Sequence, residues 1–481
     1  MQVPGSFPAE VEEAAAQAAA TTLSTQTDPP RTDMTDVDFV TLDPATSTDL
    51  DQAFWIDTEG DVLVLRYAIA DVPAFVVSGG VIEAEAWRRG ETIYLPDAKA
   101  GVYPSSLSEA AASLLPDGKR PAIVVSVTLD REGQATLRSV DRAIIASRAK
   151  LAYETATSSI LPPGFDEFSK RVTNAEDRRG ASRVQFPEQD VIADPDRPGC
   201  YRLQLRTALP IEDSNAAMSL AANLAVAEAM LKAGTGLFRV MDAPDDKDVQ
   251  GLHHIANALG IVWPATEPLL DLQRRLDPAK PHHQAMLLAI RRAGGGASYE
   301  PLTPGIVPWH AAMAATYAHT TAPLRRLADR YVLEAALAIS AARPVPASVT
   351  TAFSKLHDVM EASEQKASKV DHAVIELLEA VTLASHVGEQ FRAVVIDNDH
   401  YGAKIQLLDE PVIAKVDADH LDPGAQIDVT LVSADPVARR TTFEFTKRHP
   451  WSIGAQPSAR RSDGSLCGRH DAEVHQRSGP P

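Results

Sequence analysis

The stretch TLDPATSTDLDQAFWI, residues 41–56, gathers Asp43, Asp49 and Asp51 within nine positions and runs into an apolar segment of strand character. Asp-Pro followed by ATST is a turn sequence, so a solvated loop between two strands is one account of it. If residues 49–51 are extended, Asp49 and Asp51 point to the same side, and the turn returns Asp43 to join them. Two unit charges ~4 Å apart cost roughly 4 kcal/mol at an effective dielectric of 20, so an empty cluster would protonate or splay apart, and a divalent cation removes that penalty. With no His or Cys nearby, all-oxygen ligation favours Mg²⁺ or Mn²⁺ over zinc. Gln52 stands where a fourth acid would fit, and its neutral amide oxygen is a weaker ligand for a hard cation. An EF-hand is excluded by the missing central Gly and terminal Glu. DLD alone also fits the D-x-D of a nucleotide-sugar glycosyltransferase, although no glycine-rich nucleotide loop accompanies it.

Outward from this stretch, short apolar runs such as VLVLRYAIA (62–70) and AIVVSVTL (122–129) are bounded by Gly, Pro and Asp and read as buried strands. Beyond residue 210 the spacing turns helical, in 215–233, 324–340 and from Phe353 to about His386. From Phe391 short alternating strands return, with the length and rhythm of a five-stranded OB barrel. The expected class is α+β: a mixed sheet with helices over 36–386, then an OB-type barrel over 387–448. Residues 1–35 read as an extension, partly helical or flexible, and the apolar-poor tail 449–481 as disordered.

At 481 residues and 44% hydrophobic content the chain can bury a large core. No run reaches the ~18 apolar residues of a membrane helix and no signal peptide opens the chain, so a cytoplasmic protein without membrane contact is expected. Cys200 and Cys467 show no metal-type spacing and are read as free thiols. A formal charge of −19 works against nucleic-acid binding unless a locally basic path exists. Aromatic residues at 5% leave few to serve as base-stacking platforms.

The second constellation is YAHTTAPLRRLADRY, Tyr317 to Tyr331. Thr321 can cap a helix that Pro323 begins, giving an anion site. Arg325 and Arg326 then diverge by about 100°, so one can reach a phosphate while the other anchors the structure. A plain surface helix with an Arg325–Asp329 pair at i,i+4 accounts for the same residues. Metal-binding acids together with a cationic helix start would suit phosphodiester chemistry.

These stretches, with YAIADVPAFVVSGGVIEAEAWRRGETIYLP, YPSSLSEAAASLLPDG and FRVMDAPDD, resemble the ribonuclease II and ribonuclease R exoribonucleases that share the RNB domain. They stand in the family's order over about residues 38–335. The resemblance implies a Mg²⁺-dependent hydrolase, Mn²⁺ being the other candidate, that degrades single-stranded RNA processively from the 3′ end to nucleoside 5′-monophosphates. It implies that Asp43, Asp49 and Asp51 are active-site acids, with Asp49 and Asp51 catalytic, and that Arg325 contacts the phosphate. Tyr94 is implied as the tyrosine that stacks on bases, with Tyr317, Thr321 and Arg326 beside the RNA; an ordinary half-buried strand aromatic is the other reading of Tyr94. Gln52 replaces the family's fourth aspartate, so an altered metal shell is expected. Pro244 stands where the family offers a second clamping aromatic, and Glu364 or Asp371 would serve its product-expelling acid. The roughly 35 N-terminal residues cannot hold a cold-shock barrel, and in the C-terminal barrel acids outnumber bases, which makes it a poor electrostatic trap for RNA. Three readings follow: an active exoribonuclease acting as a monomer, an RNA-binding RNB protein impaired in chemistry, and a D-x-D glycosyltransferase.

Overall fold

A computed structural model describes the chain apart from residues 1–2, 22–29, 183–187, 195–196, 198–199, 207–208, 278–279, 400–401, 409, 411, 419–420, 423–424, 449–465 and 468–481. Helix α1 (Ala9–Ala20) buries Val11 and Ala15 in the main core, so part of the expected extension packs on the body of the protein.

Next come β1 (Thr32–Asp33), β2 (Val40–Asp43), β3 (Gln52–Glu59) and β4 (Val62–Ala70). Helix α2 (Val81–Arg89) and the hairpin of β5 (Ile93–Tyr94) and β6 (Lys99–Ala100) then precede β7 (Lys119–Leu129), β8 (Ala135–Ala146) and β9 (Ala149–Ala152). All but the hairpin form one sheet in the order β1-β8-β7-β4-β3-β2-β9. The β1–β8 and β2–β9 pairs are parallel and the rest antiparallel. Strands β4 and β7 are buried along most of their length, as their unbroken apolar runs require of strands covered on both faces.

Helix α3 (Phe165–Arg179) leads through the hairpin β10 (Glu188–Ala193) and β11 (Cys200–Arg206) to α4 (Pro210–Lys232). Helix α4, rich in Ala and apolar around much of its circumference, lies on β4, β7 and β8. Strand β12 (Leu237–Val240) then precedes α5 (Asp246–Ala258), α6 (Leu269–Arg275), α7 (Pro281–Ala293) and β13 (Ser298–Pro301), its antiparallel partner. The three helices build a second core around Leu252, Leu272 and Met286.

Helices α8 (Leu327–Ser340) and α9 (Ala347–Leu383) complete the helical half. Here the structure corrects the sequence reading: α8 starts at Leu327 with Arg326 at its N-cap, so Thr321 does not cap it and Pro323 does not begin it. The reason is Asp329, whose carboxylate accepts the Ala322 N–H at 2.8 Å and grips Arg326 at 3.0 and 2.6 Å, holding 322–326 as a loop.

Strands β14 (Gln390–Asp399), β15 (Gly402–Leu407), β16 (Ile413–Asp417), β17 (Gln426–Asp435) and β18 (Arg440–Arg448) close into a barrel in the order β14-β15-β16-β18-β17, the expected OB-type arrangement. It docks through Val394 and Ile396 on the second core and through β17 and β18 on α9. A last strand, β19 (Leu466–Cys467), pairs with β11 and sets Cys467 opposite Cys200. Cys200 is disulfide-bonded, which corrects its reading as a free thiol. The rest of the segment expected to be disordered, 449–465 and 468–481, lies outside the described residues. Among the described residues no helix is long and apolar enough to cross a membrane.

Candidate active site

The loop between β2 and β3 carries the three aspartates to one end of the sheet, where it meets the arginine loop before α8. Asp43 ends β2, Asp51 directly precedes β3, and Asp49 lies in the turn. Asp51 is buried, at 5% exposure. Its Oδ1 accepts the Leu324 N–H at 2.7 Å and its Oδ2 lies 3.6 Å from Arg325 Nε, so one carboxylate joins the acid loop to the arginine loop. Burial pushes Asp51 up to about 7 against the opposing pull of Arg325 and the Leu324 N–H. Burial, with Asp49 adding to it, pushes Asp43 up to about 6 despite Arg325 and Lys150. Both acids are short of positive charge in the protein alone.

Among the described residues no three His, Cys, Asp or Glu side chains are grouped as a metal site. Asp49 is held elsewhere, with Oδ2 accepting from Tyr94 Oη at 3.0 Å and Oδ1 from Lys99 Nζ at 3.1 Å. Gln52, expected among the ligands, bonds to a strand neighbour and to the arginine loop. Its Oε1 accepts from Tyr67 Oη at 2.5 Å and its Nε2 donates to the Thr321 carbonyl at 2.6 Å, so it ties β3 and β4 to the arginine loop.

The two arginines divide as the diverging pair suggested, although not on a helix. Arg326 is committed to Asp329, whereas the Arg325 side chain is 46% exposed and its guanidinium borders Asp51. Of the residues expected at RNA, Tyr94 is 46% exposed. Thr321 and Tyr317 are buried: Thr321 Oγ1 shares a hydrogen bond with Ser219 Oγ, and Tyr317 Oη accepts from Asn223 Nδ2 at 3.1 Å while its ring lies edge-on to His310 and His319. These two, with Arg326, shape the loop from behind. Glu364 is ion-paired to Arg239 at 2.8 Å, Asp371 lies exposed on α9, and Pro244 precedes Asp245, the capping residue of α5.

The Tyr94 hairpin is fastened to the arginine loop by backbone. Thr92 N–H donates to the Arg325 carbonyl and Leu327 N–H to the Gly90 carbonyl, both at 2.9 Å. The turn that permits this centres on Gly90, at φ 73° and ψ −58°, with Glu91 N–H bonded to the Arg89 carbonyl. That is the tight γ-turn that side chains rarely tolerate, and a Cβ there would lie 2.6 Å from Ser363 Oγ. Gly90→Ala is therefore expected to lose roughly 2–4 kcal/mol in a denaturant titration.

Residues the sequence reading missed include Lys99, Tyr67 and Asn215. Asn215 Nδ2 donates to the Leu42 carbonyl and to Tyr153 Oη beside Asp43. Only Lys99 left a readable signal: it stands across the PDA turn from Tyr94, and a hairpin there pairs the two directly.

An RNB domain model matches residues 31–339 and a model of the RNase II-type exonuclease C-terminal S1 domain matches 389–446. The chain belongs to the RNB-domain family. It is 28% identical over 418 residues to exoribonuclease 2 of Serratia proteamaculans, covering 81% of this chain and 63% of that protein. It is 29% identical over 336 residues to ribonuclease R of Mycoplasma pneumoniae, covering 63% of this chain and 44% of that one. The chain thus spans about half to two-thirds of the length of these relatives. The apo form of Mycoplasma genitalium RNase R shares the fold at a TM-score of 0.78 and 20% identity, over 90% of this chain and 75% of that one. Yeast Ssd1, described as a pseudonuclease, shares it at 0.63 and 16%, over 87% and 53%. The fold is common to nucleases and a pseudonuclease, so the site must decide between them.

Proposed function

We propose that this chain is a metal-dependent 3′-to-5′ exoribonuclease that hydrolyses single-stranded RNA processively to nucleoside 5′-monophosphates. The observation that carries the reading is Asp51, a buried carboxylate shared between the Leu324 N–H and the accessible Arg325 guanidinium, with Asp43 and Asp49 on the same loop. The names of the curated relatives, exoribonuclease 2 and ribonuclease R, support it.

The donor set fits a hard divalent cation, because Asp43 and Asp51 are oxygen donors whose burial Arg325 and Lys150 offset only in part. Bound there, Mg²⁺ or Mn²⁺ would supply Lewis acidity at the phosphate and lower the pKa of water. Arg325 orients the scissile phosphate through its non-bridging oxygens and stabilises their growing charge. Tyr94 offers a ring face to the terminal base, and its bond to Asp49 ties base position to the acid loop. Water adds to phosphorus and the P–O3′ bond breaks, which leaves a 3′-hydroxyl on the shortened RNA and a 5′-phosphate on the released nucleotide. Chromatography of the products tests this: 5′-monophosphates that vanish with EDTA are expected, and 3′-phosphates or EDTA-resistant cleavage would sink it.

The impaired RNA-binding reading draws on Gln52. Replacing it by Asp sets a carboxylate near the Thr321 carbonyl and removes the Nε2 donor, so Gln52→Asp is expected to lower the melting temperature. The nuclease rate should change by no more than about threefold, since Gln52 is a tie between strands and loop rather than a ligand. A gain of tenfold or more would favour the impaired reading.

A further inference from the structure

We propose that Lys99 is a built-in counter-ion of the acid loop that keeps Asp49 out of the metal shell, so that this chain binds a single divalent cation, on Asp43 and Asp51. The inference rests on the metal-dependent reading above and goes beyond it, to the composition of the site.

Lys99 is not a loose surface lysine. Its side chain is 25% exposed, and its Nζ lies 3.1 Å from Asp49 Oδ1, 3.1 Å from Glu109 Oε1 and 3.5 Å from Thr48 Oγ1. Glu109 in turn accepts from Thr48 Oγ1 at 2.9 Å, so the ammonium is caged by two carboxylates and a hydroxyl. The backbone fixes it as well. Lys99 is the direct cross-strand partner of Tyr94, and that pair takes the two oxygens of Asp49, Lys99 on Oδ1 and Tyr94 on Oδ2. A carboxylate so held has its charge partly offset, the one ammonium being shared with Glu109, and a lone pair on each oxygen occupied.

The opposite side of the loop is closed to a metal in a different way. Gln52, the remaining oxygen donor beside Asp51, turns its carbonyl to Tyr67. What remains for a metal is Asp43, whose neighbour Lys150 is bonded to the Ala45 and Ser47 carbonyls, and Asp51, whose Oδ1 accepts the Leu324 N–H but whose Oδ2 faces Arg325 at 3.6 Å, beyond hydrogen-bonding distance. A second divalent ion at Asp49 would have to sit against the Lys99 ammonium, and one unit of charge at contact distance from such an ion changes its affinity by at least about tenfold even in water. A lysine fixed in that place supplies some of the positive charge a second metal would bring, without the need to bind one.

The test uses the full chain, freed of metal and titrated with MnCl₂ at pH 8, with calorimetry and electron paramagnetic resonance of free Mn²⁺ reporting affinity and number. Wild type is expected to take up one Mn²⁺ per chain. Lys99→Met, which keeps the length and removes the charge, is expected to gain a second Mn²⁺ or to bind the first at least about tenfold more tightly. Lys99→Arg, which keeps the charge, should match wild type, and thermal melting of both variants guards against misfolding. The proposal is overturned if wild type already binds two Mn²⁺, or if Lys99→Met leaves number and affinity unchanged, including the case in which neither protein binds. Hydrolysis of RNA is measured separately, so failure of the functional reading and failure of the Lys99 assignment are distinguishable.

Discussion

Asp51→Asn is expected to lower the rate of RNA hydrolysis by at least about 10³-fold while making the metal-free protein more stable at alkaline pH. The first effect follows from replacing a charged donor that faces both the proposed metal and Arg325 with an amide of nearly the same shape. The second follows from burial. The folded-state pKa of Asp51 is raised from 3.8 to about 7, so the native state favours the protonated form and ionisation costs it stability as pH rises between those values. At pH 8 nearly the full penalty is present, on the order of 4 kcal/mol for a shift of about three units, and Asn escapes it. At pH 3 the carboxyl is protonated whether folded or unfolded, and the two proteins should be equally stable. Mg²⁺ should close the gap at pH 8, because it binds the ionised wild type and stabilises it by mass action. A variant that loses activity but is no more stable than the metal-free wild type at pH 8 would show that the burial of Asp51 is not a cost the metal offsets.

Arg325→Ala is expected to cost about 10²–10³-fold in kcat/KM, with Arg325→Lys recovering only part, since an ammonium cannot form the paired contacts of a guanidinium. The fold should survive, because the Arg325 side chain is 46% exposed and the backbone bond from Thr92 to its carbonyl does not depend on the side chain. Loss of the guanidinium also removes the chief charge that holds Asp51 down, so without metal the Asp51 carboxyl should titrate higher than in wild type. Steady-state kinetics on a single-stranded RNA, with Mg²⁺ varied, separates lost phosphate binding from lost metal affinity. If kcat/KM falls less than about threefold, Arg325 is not the phosphate ligand.

The fold was legible wherever local pattern and burial agree. The apolar runs of β4 and β7, the helical spacing of α4 and α9, and the alternating strands of the barrel each fix one element without reference to distant neighbours. The start of α8 was not legible, because the Thr-Ala-Pro signal is local and the decision is made by Asp329, six residues beyond Pro323. The disulfide at Cys200 was hidden for a related reason: only the return of the chain at β19 brings Cys467 opposite it. In the site, the closeness in sequence of the aspartates and the adjacency of two arginines were readable, and so was the divergence that leaves Arg325 accessible and Arg326 bound to Asp329. The direction of each side chain was not. Nothing in the spacing D-x5-D-x-D says that Asp49 turns to a lysine fifty residues on, or that Gln52 faces Tyr67 across a strand pair, because both partners are set by the register of the sheet and the hairpin.

The most direct measurement is a time course on a single-stranded RNA labelled at its 5′ end, incubated with the protein and Mg²⁺ beside the Asp51→Asn variant. A ladder that shortens from the 3′ end with wild type, and intact RNA with Asp51→Asn or with EDTA, is the predicted result. Intact RNA with the wild-type protein in the presence of Mg²⁺ and Mn²⁺, or a ladder of equal strength from Asp51→Asn, would contradict it.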